Sequence, residues 1–291
     1  MTQVPNSIHL KNLGVGHCNM EGGLATNLAK TQEIEDVIFR EKLDIFGINE
    51  TNLNPMIDNN TLNIPLNYDI ERCDRPNNSS RGGCSVLISN RIKYRLFPIN
   101  VVHTDLSKIE AVWIELTELN LLLCFFYRSK NFTPVDTFLD YMTECMVKLS
   151  GRKVIWVGDV NIDQRNISDL DYRKLDITMK IFGLIQVVSE VTRRSYRQNH
   201  YTESTIDVVM TNCYSDFTDC KVLNDRIGDH EALKFEMNFK VLKADKFKKV
   251  SIRDHSQKNI ASLNYHLAES DYSPIMNCDN IDAATEALTL I

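Results

Sequence analysis

The sequence predicts an α/β sandwich built as one large domain, with two stacked sheets and helices on their outer faces. Three observations carry this. Short apolar runs bounded by turn-rich segments dominate the chain. Helical periodicity interrupts these runs at intervals without replacing them. The 291 residues are 43% hydrophobic and 25% charged, which suits a globular protein with a substantial core and excludes a disordered chain, a collagen or a coiled coil.

The elements follow in order. A first strand ends in Val15-Gly16-His17-Cys18-Asn19. Ile34, Val37 and Ile38, framed by Leu28, Glu35 and Lys42, predict a helix over 28–42. Apolar runs over 43–49, 84–89, 111–116 and 121–127 read as strands. Phe138, Leu139, Met142, Met146 and Leu149 form one stripe of a helix over 134–149. It opens on Thr133-Pro134-Val135-Asp136, a variant capping box with proline at the first helical position. A strand over 154–157, a helix over 169–182 and a strand over 206–211 come next. The last strand, 232–239, alternates cleanly and puts Leu233, Phe235, Met237 and Phe239 on one face. Lys243–Lys249 is a basic connector, so the domain boundary is placed near 242, with a polar tail over 243–291.

The N-terminus has neither a basic start nor an apolar core, so no signal peptide is expected. The longest apolar stretch has seven residues, Leu121 to Tyr127, against the roughly 20 that a membrane span needs. The eight cysteines include no CxxC pair, which argues against a zinc ribbon and for reduced thiols in the cytosol or nucleus. The net charge of −6 argues against a protein that coats nucleic acid. Most of it is local: residues 266–291 hold five acids and no Lys or Arg, leaving −1 for residues 1–265.

Polar segments stand at the ends of the apolar strands, where the strand fixes the backbone and the loop exposes the side chain. Asn19 closes the first strand, and Glu50 follows the second in Asn49-Glu50-Thr51. Gly158-Asp159-Val160-Asn161 is the sharpest case, an apolar run that breaks into Asp and Asn two apart. Asp207 lies inside an apolar run, and a lone buried carboxylate is costly unless paired. Gly228-Asp229-His230 precedes the last strand. Taken singly, Asp159 reads as a turn residue and Glu50 as a cap; the ordered set carries the argument. Four carboxylates, two amides and one His, with no Cys or His cluster, suit a hard cation such as Mg²⁺ or Mn²⁺. A His beside an Asp can act as a base or charge stabiliser when another carboxylate holds its second ring nitrogen. The other histidines, His17 among them, read as surface or satisfied polar residues.

In this order the residues resemble the endonuclease/exonuclease/phosphatase superfamily, which implies a deoxyribonuclease-I-like four-layer sandwich of two mixed sheets flanked by helices. The resemblance runs over about residues 8–240. It departs at Val160, where the family's GDxN segment usually has Phe, and at Gly228, where Ser usually precedes Asp-His. Within the superfamily the chain is most similar to the endonuclease domain of non-LTR (LINE-type, jockey/CR1-like) retrotransposons. The segments that carry this are Asp69–Arg75 with Arg81-Gly82-Gly83, Phe126-Tyr127-Arg128-Ser129, Val191-Thr192-Arg193-Arg194 and Ser204–Asn212. The tail resembles the linker before a reverse transcriptase, which implies a truncated copy or a piece of a longer polyprotein.

The resemblance implies that Glu50 binds Mg²⁺ (or Mn²⁺) with Asn19 and Asp229 close by. Asp159 would orient or deprotonate the attacking water. Asn161 and His230, the latter held by Asp207, would contact non-bridging phosphate oxygens, and Tyr127 would add a further phosphate contact. The product would be a nick with a 3′ hydroxyl and a 5′ phosphate that primes reverse transcription. Double-stranded DNA is the implied partner, contacted through Arg128, Thr192, Arg193, Arg194, Tyr196, Arg197 and Ser204. A second basic patch, Arg91-Ile92-Lys93-Tyr94-Arg95, is the weaker candidate. Element RNA would be met only through a reverse transcriptase region. The domain is expected to be monomeric and nuclear after cytoplasmic synthesis, with no membrane partner. Three alternatives stand beside this reading: an abasic-site repair endonuclease, a phosphoinositide phosphatase and a non-catalytic binding module. The first expects tryptophan near Asp207, whereas the two tryptophans are Trp113 and Trp156.

Overall fold

The computed structural model describes residues 9–75, 81–197, 200–241, 257–278 and 280–282. The chain divides into two units, Met1–Lys243 and Ala244–Ile291. In the first unit, β1 (His9–Asn19), β2 (Ile45–Asn49), β3 (Tyr68–Cys73) and β4 (Cys84–Ser89) begin one sheet. The chain then builds a second sheet from β5 (Tyr94–Leu96), β6 (Glu110–Leu116), β7 (Leu121–Tyr127), β8 (Lys153–Asp159) and β9 (Ile185–Gln186). It returns to the first sheet with β10 (Arg193–Arg197) and β11 (His200–Ser204), and to the second with β12 (Asp207–Thr211). Finally β13 (Phe217–Ile227) and β14 (His230–Val241) close the first sheet, whose order is β11-β10-β14-β1-β2-β4-β3 with β13 also on β14. The second sheet has the order β5-β6-β7-β8-β12-β9. Both sheets are mixed, with β1 parallel to β2 and β7 parallel to β8.

Period-2 alternation sorts the core into layers. Leu123 and Phe125 of β7, Val157 of β8, Val15 of β1 and Phe235 of β14 meet between the sheets. On the outer face of the second sheet, Phe126 and Trp156 pack against Phe138 and Met142 of α2 (Val135–Lys148) and Leu175 of α3 (Leu170–Ile181). On the outer face of the first, Phe46 and Ile48 pack against Ile34, Val37 and Ile38 of α1 (Leu28–Glu41). The result is the four-layer sandwich expected from the sequence. The second unit holds α4 (Gln257–Glu269) and the short α5 (Ser273–Met276). No helix of the described residues is long and apolar enough to cross a membrane.

One local expectation changes, and one basic run takes a structure that the sequence does not indicate. Thr133 does not cap α2, because its hydroxyl donates to the Lys108 carbonyl at 2.5 Å and Pro134 takes the cap position with no side-chain bond. The basic run at 193–197 is strand β10, paired along its length with β11. Its polar residues hid it, since an edge ribbon need not bury either face.

Candidate active site

Strand register gathers the site. Tyr127, Asp159 and Asp207 are Cα partners across β7, β8 and β12, so three polar residues stand in one row at one end of the second sheet. Asn19 and Asn49 are partners across β1 and β2 of the first sheet, and Glu50 follows directly. Glu50 and Asn161 adopt φ of 52° and 53°, a left-handed conformation that turns each side chain sharply off its strand. Gly158 permits the row: a Cβ there would lie 1.9 Å from the Phe126 carbonyl oxygen.

Hydrogen bonds join these residues into one network. The Tyr127 hydroxyl donates to Glu50 Oε1 at 2.7 Å. Asn19 Nδ2 donates to both Glu50 Oε1 and Asp159 Oδ2, each at 3.0 Å, while its Oδ1 accepts the Glu21 amide at 2.9 Å. Asp159 Oδ1 accepts the Asn161 amide at 2.7 Å. Asn161 Nδ2 donates to the Arg128 carbonyl and to Asp159 Oδ2 at 3.0 and 3.2 Å, so in this state it aligns Asp159. Across the site, Asp207 Oδ2 and His230 Nδ1 are 2.9 Å apart. Ligand atoms of Asp159, Asp207 and His230 all lie within 4.8 Å of one another.

Burial dominates the electrostatics. Asp159 is 1% exposed, and burial followed by the Asp207 charge raises its carboxyl from 3.8 to about 7. Burial would lower His230, but the facing Asp207 carboxylate outweighs it and raises the imidazole from 6.5 to about 9. Burial also opposes the charge on Asp207, yet His230 and the Thr192 hydroxyl hold its pKa below the ordinary value. Burial, then the Glu50 and Asp159 charges, push the Tyr127 phenol well up, so it is neutral and donates.

These shifts fix how stability depends on pH without a cation. A carboxyl raised from 3.8 to about 7 opposes folding progressively as pH rises through that interval. A His raised from 6.5 to about 9 contributes stability that is complete below 6.5 and lost as pH rises to about 9. The buried His17, lowered to about 4, gains stability as pH rises to 6.5 and offsets the Asp159 loss there. Melting in chelator should therefore stay nearly level up to about pH 6.5 and fall from there to about pH 9, and the His230→Ala variant should lose the upper part of that fall. A wild-type melting temperature that rises over pH 7–9 would contradict this assignment.

The structure redistributes several expected roles. Asp229 follows Gly228, and its carboxylate meets Arg193 Nη2 at 3.4 Å and Arg226 Nη2 at 3.7 Å. It thus faces two guanidinium groups and stands outside the three-residue cluster. Arg128 is 3% exposed, and its guanidinium donates to the carbonyls of Val160, Thr133 and Asn161 at 2.5, 3.1 and 3.0 Å. It ties the Asn161 turn to the start of α2 and offers no open surface to a polyanion. Thr192 is fully buried, and its Oγ1 accepts the amides of Ile206 and Asp207 at 3.1 and 3.0 Å. It anchors the strand that carries Asp207. Arg194 pairs with Glu231 at 2.7 Å, and the Ser204 carbonyl accepts the Thr192 amide. Tyr196 and Tyr201 are cross-strand partners and both are exposed. The Arg197 side chain lies outside the described residues. The patch at 91–95 stands beyond Ser89, the end of β4 opposite Cys84 and the site, and its cations pair with Asp44, Glu118 and Glu115.

Sequence reasoning missed Glu21, Thr192 as an anchor, and His17. Glu21 Oε2 accepts the Asp229 amide at 3.2 Å and fills the space beside Gly228, whose φ is +74°. A Cβ at Gly228 would lie 2.5 Å from that oxygen, so Glu21 would have to shift to admit one. Gly228→Ser should cost about 1–2 kcal/mol of stability from the left-handed backbone alone, read as a lower melting temperature; no change would refute the strain. His17, expected as a surface or satisfied polar residue, is instead fully buried, with neither ring nitrogen paired among the described residues. No sequence signal distinguishes it.

No protein-family profile matches the chain, and no curated protein matches it in sequence. Solved structures do. The endonuclease domain of TRAS1, a telomere-specific non-LTR retrotransposon, is 16% identical with a TM-score of 0.60, over 77% of this chain and 98% of that one. The AP endonuclease LMAP from Leishmania major is 15% identical with a TM-score of 0.63, over 78% and 88%. The Xenopus laevis APE2 catalytic domain is 14% identical with a TM-score of 0.59, over 79% and 94%. At these identities the likeness is one of architecture: this chain has the α/β sandwich fold shared by these endonucleases and by an endonuclease/exonuclease/phosphatase family protein from Bacteroides thetaiotaomicron.

Proposed function

We propose that this chain is a divalent-cation-dependent endonuclease that nicks double-stranded DNA, leaving a 3′ hydroxyl and a 5′ phosphate. The observation that carries this is the hydrogen-bonded run from Tyr127 through Glu50, Asn19 and Asp159, standing beside the Asp207–His230 pair. The residues fit a hard cation. Glu50, Asp159 and Asp207 supply oxygen ligands, and a bound cation would offset the burial and the Asp207 charge that raise Asp159. Glu50 and Asp159, both bonded to Asn19 Nδ2, would hold it. Mg²⁺ bound there supplies Lewis-acid polarisation of a phosphoryl oxygen.

The chain's own groups do the rest. Asp159, aligned by Asn161 and Asn19, accepts a proton from the attacking water. His230 is cationic below about 9, and its Nδ1 is engaged by Asp207, so Nε2 donates to a non-bridging oxygen where negative charge develops. Tyr127 donates toward Glu50 or, with substrate, toward a phosphate oxygen. Arg193, Arg194 and the Tyr196–Tyr201 pair on β10 and β11 form the DNA-facing ribbon, binding mainly the backbone.

The retrotransposon resemblance extends the proposal. The 3′ hydroxyl primes reverse transcription of a LINE-type element on nuclear DNA, and residues 243–291 link this monomeric domain to a reverse transcriptase that handles the element RNA. Supercoiled plasmid should be nicked in Mg²⁺, with ends that a polymerase extends directly. A strong preference for an abasic oligonucleotide over plasmid would instead favour a repair endonuclease, against which both tryptophans lie buried in the core outside the site.

A further inference from the structure

β1 carries Leu13 and Val15 into the core between the sheets, and the same alternation makes His17 and Asn19 the next two residues on that face. An apolar residue would continue the pattern at 17. The imidazole there is fully buried, and neither ring nitrogen has a hydrogen-bond partner among the described residues. An unpaired buried polar ring is unfavourable, so packing alone does not account for it.

Two unpartnered acceptors stand near it. Asp207 holds His230 with Oδ2, while Oδ1 is buried and unpartnered. His17 Nδ1 stands 3.8 Å from that Oδ1. Asn49, whose Nδ2 is spent on the Phe126 carbonyl at 2.8 Å, faces the ring with an unpartnered Oδ1. Gly47 leaves room on the neighbouring strand: a Cβ there would contact His17 Cδ2 at 3.4 Å and strike Phe125 at 2.3 Å. Whatever its charge, the imidazole brings at least one N–H to this corner. A shift of under an ångström brings Nδ1 to a normal hydrogen-bond distance of about 2.9 Å from Asp207.

We propose that His17 is a positioning residue that donates to Asp207 Oδ1, so that the carboxylate is pinned at both oxygens and presents Oδ2 to His230 in one orientation. Asp207 is then shared by two imidazoles, one buried behind it and one at the site. The effect on turnover rests on the nuclease reading above; the positioning itself does not.

The test compares full-length wild type with His17→Leu, which removes the donor, and His17→Gln, which keeps one. Three quantities are read: melting temperature, kcat and KM for plasmid nicking in Mg²⁺, and solvent exchange of the His230 Nδ1 proton by NMR. That proton is assigned by its loss in His230→Ala. His17→Leu should stay folded but melt somewhat below wild type, because Asp207 Oδ1 is left buried without its donor. It should lose about tenfold in kcat with KM within about twofold, the scale seen when a group supporting a site residue is removed. The His230 proton should exchange about tenfold faster, and His17→Gln should recover part of both. Wild-type kcat and exchange in His17→Leu would overturn the proposal. Faster exchange in a protein whose wild type does not nick DNA would uphold the positioning role and defeat the nuclease reading. Should His17→Leu fail to fold, His17→Phe keeps the ring shape without its nitrogens and is read by the same criteria.

Discussion

Replacing His230 by alanine should lower DNA nicking in Mg²⁺ by about 10²–10³-fold, or about 3–4 kcal/mol of transition-state stabilisation. His230 is 3% exposed and bonded through Nδ1 to Asp207, which holds it cationic through neutral pH. A cation fixed where charge develops in the reaction needs no reorganisation, so its removal should appear in kcat more than in KM. The change also leaves Asp207 buried without its partner, which in other buried pairs costs about 3–5 kcal/mol of stability. Rates should therefore be measured well below the variant's melting temperature. The double replacement of Asp207 and His230 should cost little more activity than His230→Ala alone, since the two act as a unit. Equal nicking by wild type and His230→Ala would remove the catalytic assignment.

Chelation should abolish nicking, and Mg²⁺ should stabilise the fold in a pH-dependent manner. A cation at 100 times its Kd stabilises by about 2.7 kcal/mol if it binds the folded state alone. Here it must displace the proton that burial and Asp207 hold on Asp159 up to about pH 7. The melting increment caused by Mg²⁺ should thus be larger at pH 8 than at pH 6. The increment should largely vanish in Asp159→Asn, which also loses the proton acceptor and should fall by about 10²–10⁴-fold in rate. An increment that is unchanged between wild type and Asp159→Asn, or between the two pH values, would show that the cation binds elsewhere.

Much of this site could be read before any coordinates. Glu50, Asp159, Asn161, Asp207 and His230 announce themselves because each interrupts or ends an apolar strand, where a polar side chain has few structural uses. The strands beneath them are legible for the same reason, since both faces of β7 and β8 are buried and read as unbroken apolar runs. β3, β5, β10 and β11 lie at or near the sheet edges, and of their described side chains only Ile70 and Ser195 are buried, so the hydrophobic signal that marks a strand is weak in them. Arg128 and Thr192 stand in motif segments, yet a linear pattern gives no sign that both are buried and spend their hydrogen bonds on backbone.

The sequence by itself determined the layered architecture, the strand ends that bear the candidate site and the oxygen-rich side chains gathered there. These follow from alternation and residue type, which are local properties of the chain. Tertiary structure alone decided the pairings: Asp229 with Arg193 and Arg226, Glu21 with the amide beside Gly228, and His17 behind Asp207. Glu21 and Asp229 are 208 residues apart, and His17 and Asp207 stand on different sheets. Which buried polar group meets which is fixed by the register and stacking of strands distant in sequence. The cost of leaving such groups unpaired acts only once the folded chain has excluded water.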